Sequence, residues 1–176
     1  MDHSKNKTAH SSFIGVIKQI NVKFNQALLI IAAISLLAIM LLVVFNALLR
    51  TIYKPFPGTV ELVSWLAAIT TAFALGNTQL HKAHVYIDLL FSKFSTIWKK
   101  IVHVTVLCLS AVFFLIVAWQ LILYGMNLNT TGVVSETMRV PFYPLIFFAV
   151  IGFIGLISTL LVQCIEIVIG EEDHES

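Results

Sequence analysis

Four long runs of apolar residues follow one another along the chain, at residues 27–49, 60–80, 101–124 and 142–169. A helix needs about 20 mostly apolar residues to cross the hydrocarbon core of a bilayer, so each run is long enough for one transmembrane span. The first run is longer than the core of a signal peptide, and no small-residue cleavage site follows it, so we predict that it is retained. The pattern predicts an all-α membrane protein with a four-helix transmembrane domain over residues 27–169.

The polar positions before the first run have a different spacing, which is typical of an amphipathic helix. Within residues 1–26, apolar residues recur at helical intervals from Phe13 to Phe24, and lysines and amides occupy the other faces. Such a helix can lie on a membrane leaflet, with its apolar side in contact with membrane lipids. We therefore predict an N-terminal amphipathic interfacial helix. The alternative is that this segment extends the first span.

A second stretch, residues 85–100, mixes aromatic residues with lysines and leaves two interpretations open. It is either another surface helix or a lengthening of the second and third spans. Trp98 belongs to this stretch, and an indole beside lysines is typical of the interface between bilayer and water. We therefore expect Trp98 to anchor the third span at a membrane edge.

The composition agrees with a membrane location and excludes several classes of protein. Hydrophobic residues make up 59% of the chain, charged residues only 11%, and the mean hydropathy is +0.93. Soluble domains carry about 25% charged residues, so this chain has too few charges to cover a surface in water. The composition excludes a soluble enzyme and a disordered regulator. It also excludes a nucleic-acid-binding protein, because the chain contains no block of basic residues.

Basic residues are unevenly divided between the two sides of the predicted membrane domain. Eight lie before the first span or between the second and third, whereas three (Arg50, Lys54 and Arg139) lie on the opposite side. Because cytoplasmic loops carry the excess of Lys and Arg, both termini are predicted to be cytoplasmic. The acidic tail at residues 170–176 does not change this prediction, since acidic residues count little in the rule.

Ionisable groups are missing from the middle of every predicted span. The acidic residues Glu61, Asp88, Glu136 and Glu166 all lie close to a membrane edge. Groups at mid-bilayer normally mark proton relays and ion pathways, and secondary transporters usually hold their substrate there. No P-loop, nucleophile elbow or zinc-ligand spacing is present either. We therefore expect no catalytic residue, no metal, no cofactor and little room for a substrate site.

The cysteines do not suggest a binding framework. Cys108 and Cys164 are the two cysteines of the chain, and both lie inside apolar runs. We therefore expect them to be packing or lipid-facing residues rather than parts of a disulfide or zinc framework.

Small residues recur at every fourth position of the second span, at Ser64, Ala68, Ala72 and Gly76. Positions four apart stack on one side of a helix, and small side chains there allow another backbone to approach closely. This stripe either packs within the subunit's own bundle or docks a partner membrane protein. A weaker stripe of the same kind lies on the fourth span, at Gly152, Gly155 and Thr159.

Two charged residues flank the turn between the first and second spans. Arg50 ends the first span and Glu61 opens the second, on either side of a segment that contains Pro55, Pro57 and Gly58. An ion pair between Arg50 and Glu61 would pin this turn. The alternative is that each side chain extends separately into the headgroups.

Histidines raise an alternative from a different functional class. His81, His84 and His103 lie near the same edge of the second and third spans, and His84 and Asp88 share a face if their segment is helical. A b-type haem would need two facing imidazoles, normally inside a bundle, whereas these histidines lie at its rim. The alternative function is therefore a four-span b-type haem membrane anchor of an electron-transfer complex.

Residues around the second span carry a resemblance to a known family. They are Arg50, Pro57-Gly58, Glu61-Leu62, Gly76 and the stretch Ala83-His84-Val85-Tyr86-Ile87-Asp88, which is similar to the family's HI-x-VD element. With these residues, its length and its four spans, the chain resembles the small membrane (DctQ-like) subunit of a tripartite ATP-independent periplasmic (TRAP) transporter.

The resemblance implies a function and two partners. A large TRAP membrane subunit would hold substrate and sodium, and a periplasmic substrate-binding protein would deliver an acidic metabolite such as a C4-dicarboxylate or sialic acid. The small subunit would brace the large one in the bacterial inner membrane and help to dock the binding protein. The resemblance thus implies an accessory subunit of a sodium-coupled secondary transporter, not an enzyme.

Overall fold

The computed structural model describes residues 3–82 and 96–169. They form four α-helices: α1 (His3–Ile52), α2 (Thr59–Lys82), α3 (Thr96–Thr131) and α4 (Tyr143–Ile169). Each helix is long and apolar enough to cross a membrane. The described ranges contain no β-strand, only an isolated bridge between Val134 and Pro141. The prediction of an all-α protein with four membrane-spanning helices is confirmed.

The first helix is longer than the sequence pattern suggested. α1 contains 50 residues, which at 1.5 Å per residue gives a length of about 75 Å. No proline or glycine lies between Val16 and Ile52 to end it. The predicted interfacial segment and the first span are therefore one continuous helix. A separate interfacial helix is not seen, and the alternative interpretation, an extension of the first span, describes this segment.

The four helices pack in the order α1, α2, α4, α3. α2 and α4 lie at the centre, α1 packs mainly on α2 and less on α4, and α3 packs on α4. The connections at residues 53–58 and 132–142 lie at one end of the bundle, called here the loop end. The opposite end, where α2 and α4 terminate, is called the tail end. Because α1 and α3 flank the centre, each leaves much of its surface uncovered.

The buried apolar side chains form two clusters, one on each side of the central pair. The first joins α1 to α2 and contains Leu28, Ala32, Ala72 and Phe73. The second joins α3 to α4 and contains Leu107, Ala111, Leu156, Leu160 and Ile167. Large apolar side chains are also exposed along α1, α3 and α4, for example Leu41 and Leu109. Such a surface suits lipid, because helix association in a bilayer is not driven by burial of apolar area from water.

Candidate functional site

A carboxylate at the loop end fastens one connection of the bundle to α2. Glu61, in the first turn of α2, accepts a hydrogen bond from the Ser135 hydroxyl at 2.7 Å. It also accepts hydrogen bonds from the backbone N–H groups of Thr137 at 2.9 Å and Met138 at 3.2 Å. Hydrogen bonds to an ionised acceptor are the stronger kind. Residues 132–142, called here the anchored loop, are therefore held to the start of α2.

The anchored loop has its own internal order. The Ser135 N–H donates to the Val140 carbonyl at 2.9 Å, and the Arg139 N–H donates to the Ser135 carbonyl at 3.1 Å. Arg139 adopts a left-handed backbone conformation with a φ of 55°. The Ser135 residue is almost fully buried, at 1% exposure. A compact turn is thus presented at the loop end rather than an extended strand.

The two connections at the loop end touch each other. A Cβ atom added to Gly58 would lie only 2.6 Å from Cγ of Met138, in the anchored loop. Gly58 also has a φ of 91°, which glycine adopts without steric cost. Because Gly58 has no side chain, it can adopt the backbone conformation of the turn before α2, and Met138 can pack closely against it. On the α1 side, the Phe56 N–H donates to the Asn46 side chain at 2.8 Å.

The ion pair considered between Arg50 and Glu61 does not form among the described residues. Both carboxylate oxygens of Glu61 are taken by donors of the anchored loop, and Arg50 is exposed at the end of α1. Backbone donors are already fixed by the loop, whereas pairing would require ordering of a long, exposed arginine side chain. Sequence analysis missed Ser135 because 74 residues separate it from Glu61 and no spacing pattern connects them.

The stripe of small residues on α2 divides into a covered half and an exposed half. Ala72 and Gly76 are buried, whereas Ser64 and Ala68 are exposed. Four residues turn an α-helix by about 400°, so each step of the stripe drifts by about 40° around the axis. Over its length the stripe therefore rotates from the bundle interior to the outer surface.

The covered half meets the small residues of α4. A Cβ added to Gly152 would overlap the backbone of Ala72, and one added to Gly76 would lie 3.0 Å from the carbonyl carbon of Gly155. The two stripes seen in the sequence thus face each other. The axes of α2 and α4 can approach this closely only because neither helix carries bulk at the contact.

Polar side chains join α1 to α4 next to this contact. Asn21 and Asn25 are buried, together with Thr159 on α4. The Asn25 amide nitrogen donates to the Asn21 side-chain oxygen at 2.9 Å and to the Thr159 hydroxyl at 3.1 Å. The Ser158 hydroxyl donates to the same Asn21 oxygen at 2.8 Å. We call these four residues the asparagine cluster.

The sequence pattern had placed Asn21 on the polar face of an interfacial helix and assigned no role to Asn25. Both asparagines instead form hydrogen bonds with each other and with α4, as buried polar groups usually do, although one of their polar atoms is left unbonded. The Asn25 side-chain oxygen has no hydrogen-bond partner and lies against Gly76. No periodic signal distinguishes an asparagine that faces water from one that faces another helix, so the cluster could not be found from the sequence.

Two further polar contacts continue this arrangement toward the tail end. The Gln79 side chain of α2 donates to the Gln163 side-chain oxygen of α4 at 3.0 Å. Lys18 of α1 forms a 3.2 Å salt bridge with Glu166, in the last turn of α4. α4 is therefore connected by polar groups to both α1 and α2 in the tail half of the bundle.

The remaining candidates are only partly described. His84 and Asp88 lie outside the described residues, and Trp98 is exposed near the start of α3. His81 is exposed and His103 half-buried. Within the part of the chain that the structure describes, no three histidine, cysteine or acidic side chains come together as metal ligands. No observation favours the haem anchor.

Comparison with known proteins gives one match. A family model described as "Tripartite ATP-independent periplasmic transporters, DctQ component" matches residues 39–170, which are 132 of the 176 residues. No curated protein and no solved structure matches the chain. The matched region contains the anchored loop and the contact between α2 and α4, whereas Asn21 and Asn25 precede it.

Proposed function

The chain belongs to the DctQ component family of tripartite ATP-independent periplasmic transporters, and we propose that it braces the large membrane subunit of such a transporter without carrying substrate itself. It is a transporter component and a multi-pass membrane protein. The observation that best supports a bracing role is the backbone contact between α2 and α4, at the centre of the bundle.

A helix pair in backbone contact leaves no space for a solute between its members. A coupled carrier must expose a polar site to each side of the membrane in turn, usually through broken helices near the midplane. Here α2 and α4 are unbroken, touch at Gly76 and Gly152, and are joined by a hydrogen bond between Gln79 and Gln163. These contacts resist the separation that a moving carrier requires.

The exposed half of the α2 stripe is the surface we assign to the large subunit. Ser64 and Ala68 are exposed on α2, and the Ser64 hydroxyl is already bonded to the Val60 carbonyl of its own helix at 2.9 Å. Small, internally satisfied residues permit close approach of a second membrane helix. Small residues thus recur on the outer side of α2, where none of the four described helices covers them.

The anchored loop is the surface we assign to the periplasmic binding protein. It lies on the side opposite to the lysine-rich segments, which is the periplasmic side if both termini are cytoplasmic. Glu136 and Arg139 are exposed there, on a turn that Glu61 holds in place. A turn that is ordered before binding loses less conformational entropy when a partner docks.

The transported substrate is proposed from the family resemblance. We propose sodium-coupled import of an acidic metabolite, such as a C4-dicarboxylate or sialic acid, across the bacterial inner membrane. The asymmetry of basic residues supports the orientation with both termini in the cytoplasm. The large subunit would supply the sodium and substrate sites, since the charged residues of this chain lie at the ends of its spans.

Reconstitution tests this proposal. Liposomes would contain this chain, its cognate large subunit, or both, with the binding protein and radiolabelled substrate outside and an inward sodium gradient. We expect uptake only when all three proteins and the gradient are present. Accumulation by this chain alone would contradict the proposal that it carries no substrate. Full uptake in its absence would contradict the bracing role.

A further inference from the structure

Two thiols meet in the contact between α3 and α4. The Cys108 and Cys164 sulfur atoms lie 3.4 Å apart, and both cysteines are free thiols. They are the only cysteines of the chain and are 56 residues apart in sequence. Their proximity is thus a product of the fold rather than of local chain geometry.

Packed side chains hold the two cysteines in register. Cys164 packs against the cluster that includes Leu107 and Ala111 of α3 and Leu160 and Ile167 of α4. On their own helices, these residues lie within about one helical turn of the cysteines. Both thiols therefore belong to the packed contact between α3 and α4, which brings them close together.

The thiols lie in the tail half of the bundle, where Cys164 packs against the apolar cluster between α3 and α4. Gln163, next to Cys164 in the chain, is hydrogen-bonded to Gln79, and Glu166 pairs with Lys18 less than one turn further on. The thiolate is the reactive form of cysteine and apolar burial disfavours it, so burial slows the reaction of Cys164 more than that of Cys108. Cys108 is exposed on the surface of the described chain, whereas Cys164 is half-buried.

We propose that Cys108 and Cys164 form a reversible disulfide between α3 and α4 when the protein meets an oxidant of the peroxide class. A disulfide bond is about 2.05 Å long, so the sulfur atoms must approach by about 1.35 Å. Rotation of two short side chains and a small adjustment of the helices supply this movement. Both cysteines are free in the structure, so the disulfide is a proposal about the oxidised protein alone.

The chemistry proceeds in two balanced steps. The exposed Cys108 thiolate attacks hydrogen peroxide, the O–O bond breaks, and Cys108 becomes a sulfenic acid as hydroxide leaves and takes up the thiol proton as water. Cys164 then attacks the Cys108 sulfur, the S–O bond breaks, and a second water leaves with the Cys164 proton. Peroxide has gained two electrons and the thiol pair has lost two. A dithiol reductant returns both electrons and restores the thiols.

The bond would change how α3 is held. α3 packs on α4, its principal neighbour in the bundle. A covalent link in the tail half would fix this flanking helix to the central pair and add to the side-chain packing between α3 and α4. The site is thus a redox-dependent fastening of one helix, independent of whether the chain braces a large subunit.

Mass spectrometry of the full-length protein in membranes tests the site. Membranes are treated with hydrogen peroxide, free thiols are blocked with N-ethylmaleimide, and the protein is digested. We expect a linked peptide containing Cys108 and Cys164, with a mass lower by two hydrogen atoms than the sum of the reduced peptides. We also expect peroxide to prevent maleimide labelling of both cysteines together. Reduction with dithiothreitol before the blocking step should restore the labelling. The variants Cys108→Ser and Cys164→Ser should each abolish the link.

A displaced thiol provides the matched control. In the Cys108→Ser background, Leu109→Cys places a cysteine one residue further along α3, at a position that is 70% exposed. This thiol points about 100° away from Cys108 around the helix and should not link to Cys164. The proposal is overturned if peroxide leaves both native cysteines alkylated, if Cys108 remains a sulfenic acid, or if it links only to other copies of the chain.

Discussion

The strongest prediction about stability concerns the contact around Gly76. Replacing Gly76 with alanine adds a single methyl group, which would overlap the Asn25 side-chain oxygen and lie 3.0 Å from the carbonyl carbon of Gly155. The Gly155 carbonyl carbon is backbone and cannot rotate away. α2 must therefore shift outward, and Asn25 must leave a position in which it is fully buried and bonded to Asn21 and Thr159.

The expected cost follows from these contacts. Insertion of bulk into a packed core costs about 1–3 kcal/mol. Displacing Asn25 weakens its hydrogen bonds, each with a net value of about 0.5–1.5 kcal/mol. Interhelical hydrogen bonds in membranes average nearer to about 0.6 kcal/mol. We therefore expect Gly76→Ala to lower the free energy of unfolding by about 2–4 kcal/mol.

Titration with sodium dodecyl sulfate in mixed micelles, followed by circular dichroism, measures this change. The matched control is Ala68→Leu, which adds more bulk to the same stripe at an exposed position and should leave the unfolding free energy within about 0.5 kcal/mol of wild type. The same titration on Asn25→Ala and on the double variant completes a double-mutant cycle. If Gly76→Ala matches wild type, the close approach of α2 to α1 and α4 does not exist as described.

Three further predictions concern the two assigned surfaces and the orientation. Glu61→Gln should speed hydrogen exchange of the backbone amides in the anchored loop, because the new amide group faces donors that need an acceptor. Glu136→Gln, an exposed acid of the same loop, should not, and equal exchange in both variants would contradict the anchoring role. Ala68→Leu should reduce co-purification of the large subunit while the isolated chain stays folded, and undiminished co-purification would move that interface elsewhere. A cysteine at Thr131, in a background without native cysteines, should react with a membrane-impermeant maleimide in intact cells, and one at Ser4 should not. The reverse labelling would overturn the orientation.

The number and order of the membrane helices could be predicted because lipid imposes a simple rule. Every backbone polar group must be bonded within the hydrocarbon region, so a run of about 20 apolar residues has essentially one conformation available. The predicted spans lie within the four helices, apart from Phe142, which precedes α4. Helix ends were less predictable. α1 and α3 continue beyond the apolar runs, and α3 does so through Gly125, a residue type that commonly ends helices.

Contacts between distant segments could not be predicted for a different reason. Both stripes of small residues were visible in the sequence, but their pairing at Ala72 and Gly152 depends on which helices are neighbours. Glu61 was identified as important from its place at the start of the second span, and an arginine nearby in sequence was the natural partner to consider. The actual partners belong to a loop that sequence spacing does not connect to Glu61.

The family match divides the Gly76 contact into two physically different parts. Gly155 lies inside residues 39–170, the matched region, whereas Asn25 lies before it. The contact between α2 and α4 therefore lies within the region that the family model matches. The contact of Asn25 with Gly76 involves a residue of α1 that lies before this region. The double-mutant cycle separates these parts. If Asn25 is the main obstacle, Gly76→Ala should cost about 1–2 kcal/mol less in the Asn25→Ala background, because only the Gly155 backbone remains in the way. If the cost is the same in both backgrounds, the α2–α4 contact alone sets the rigidity on which the bracing role depends.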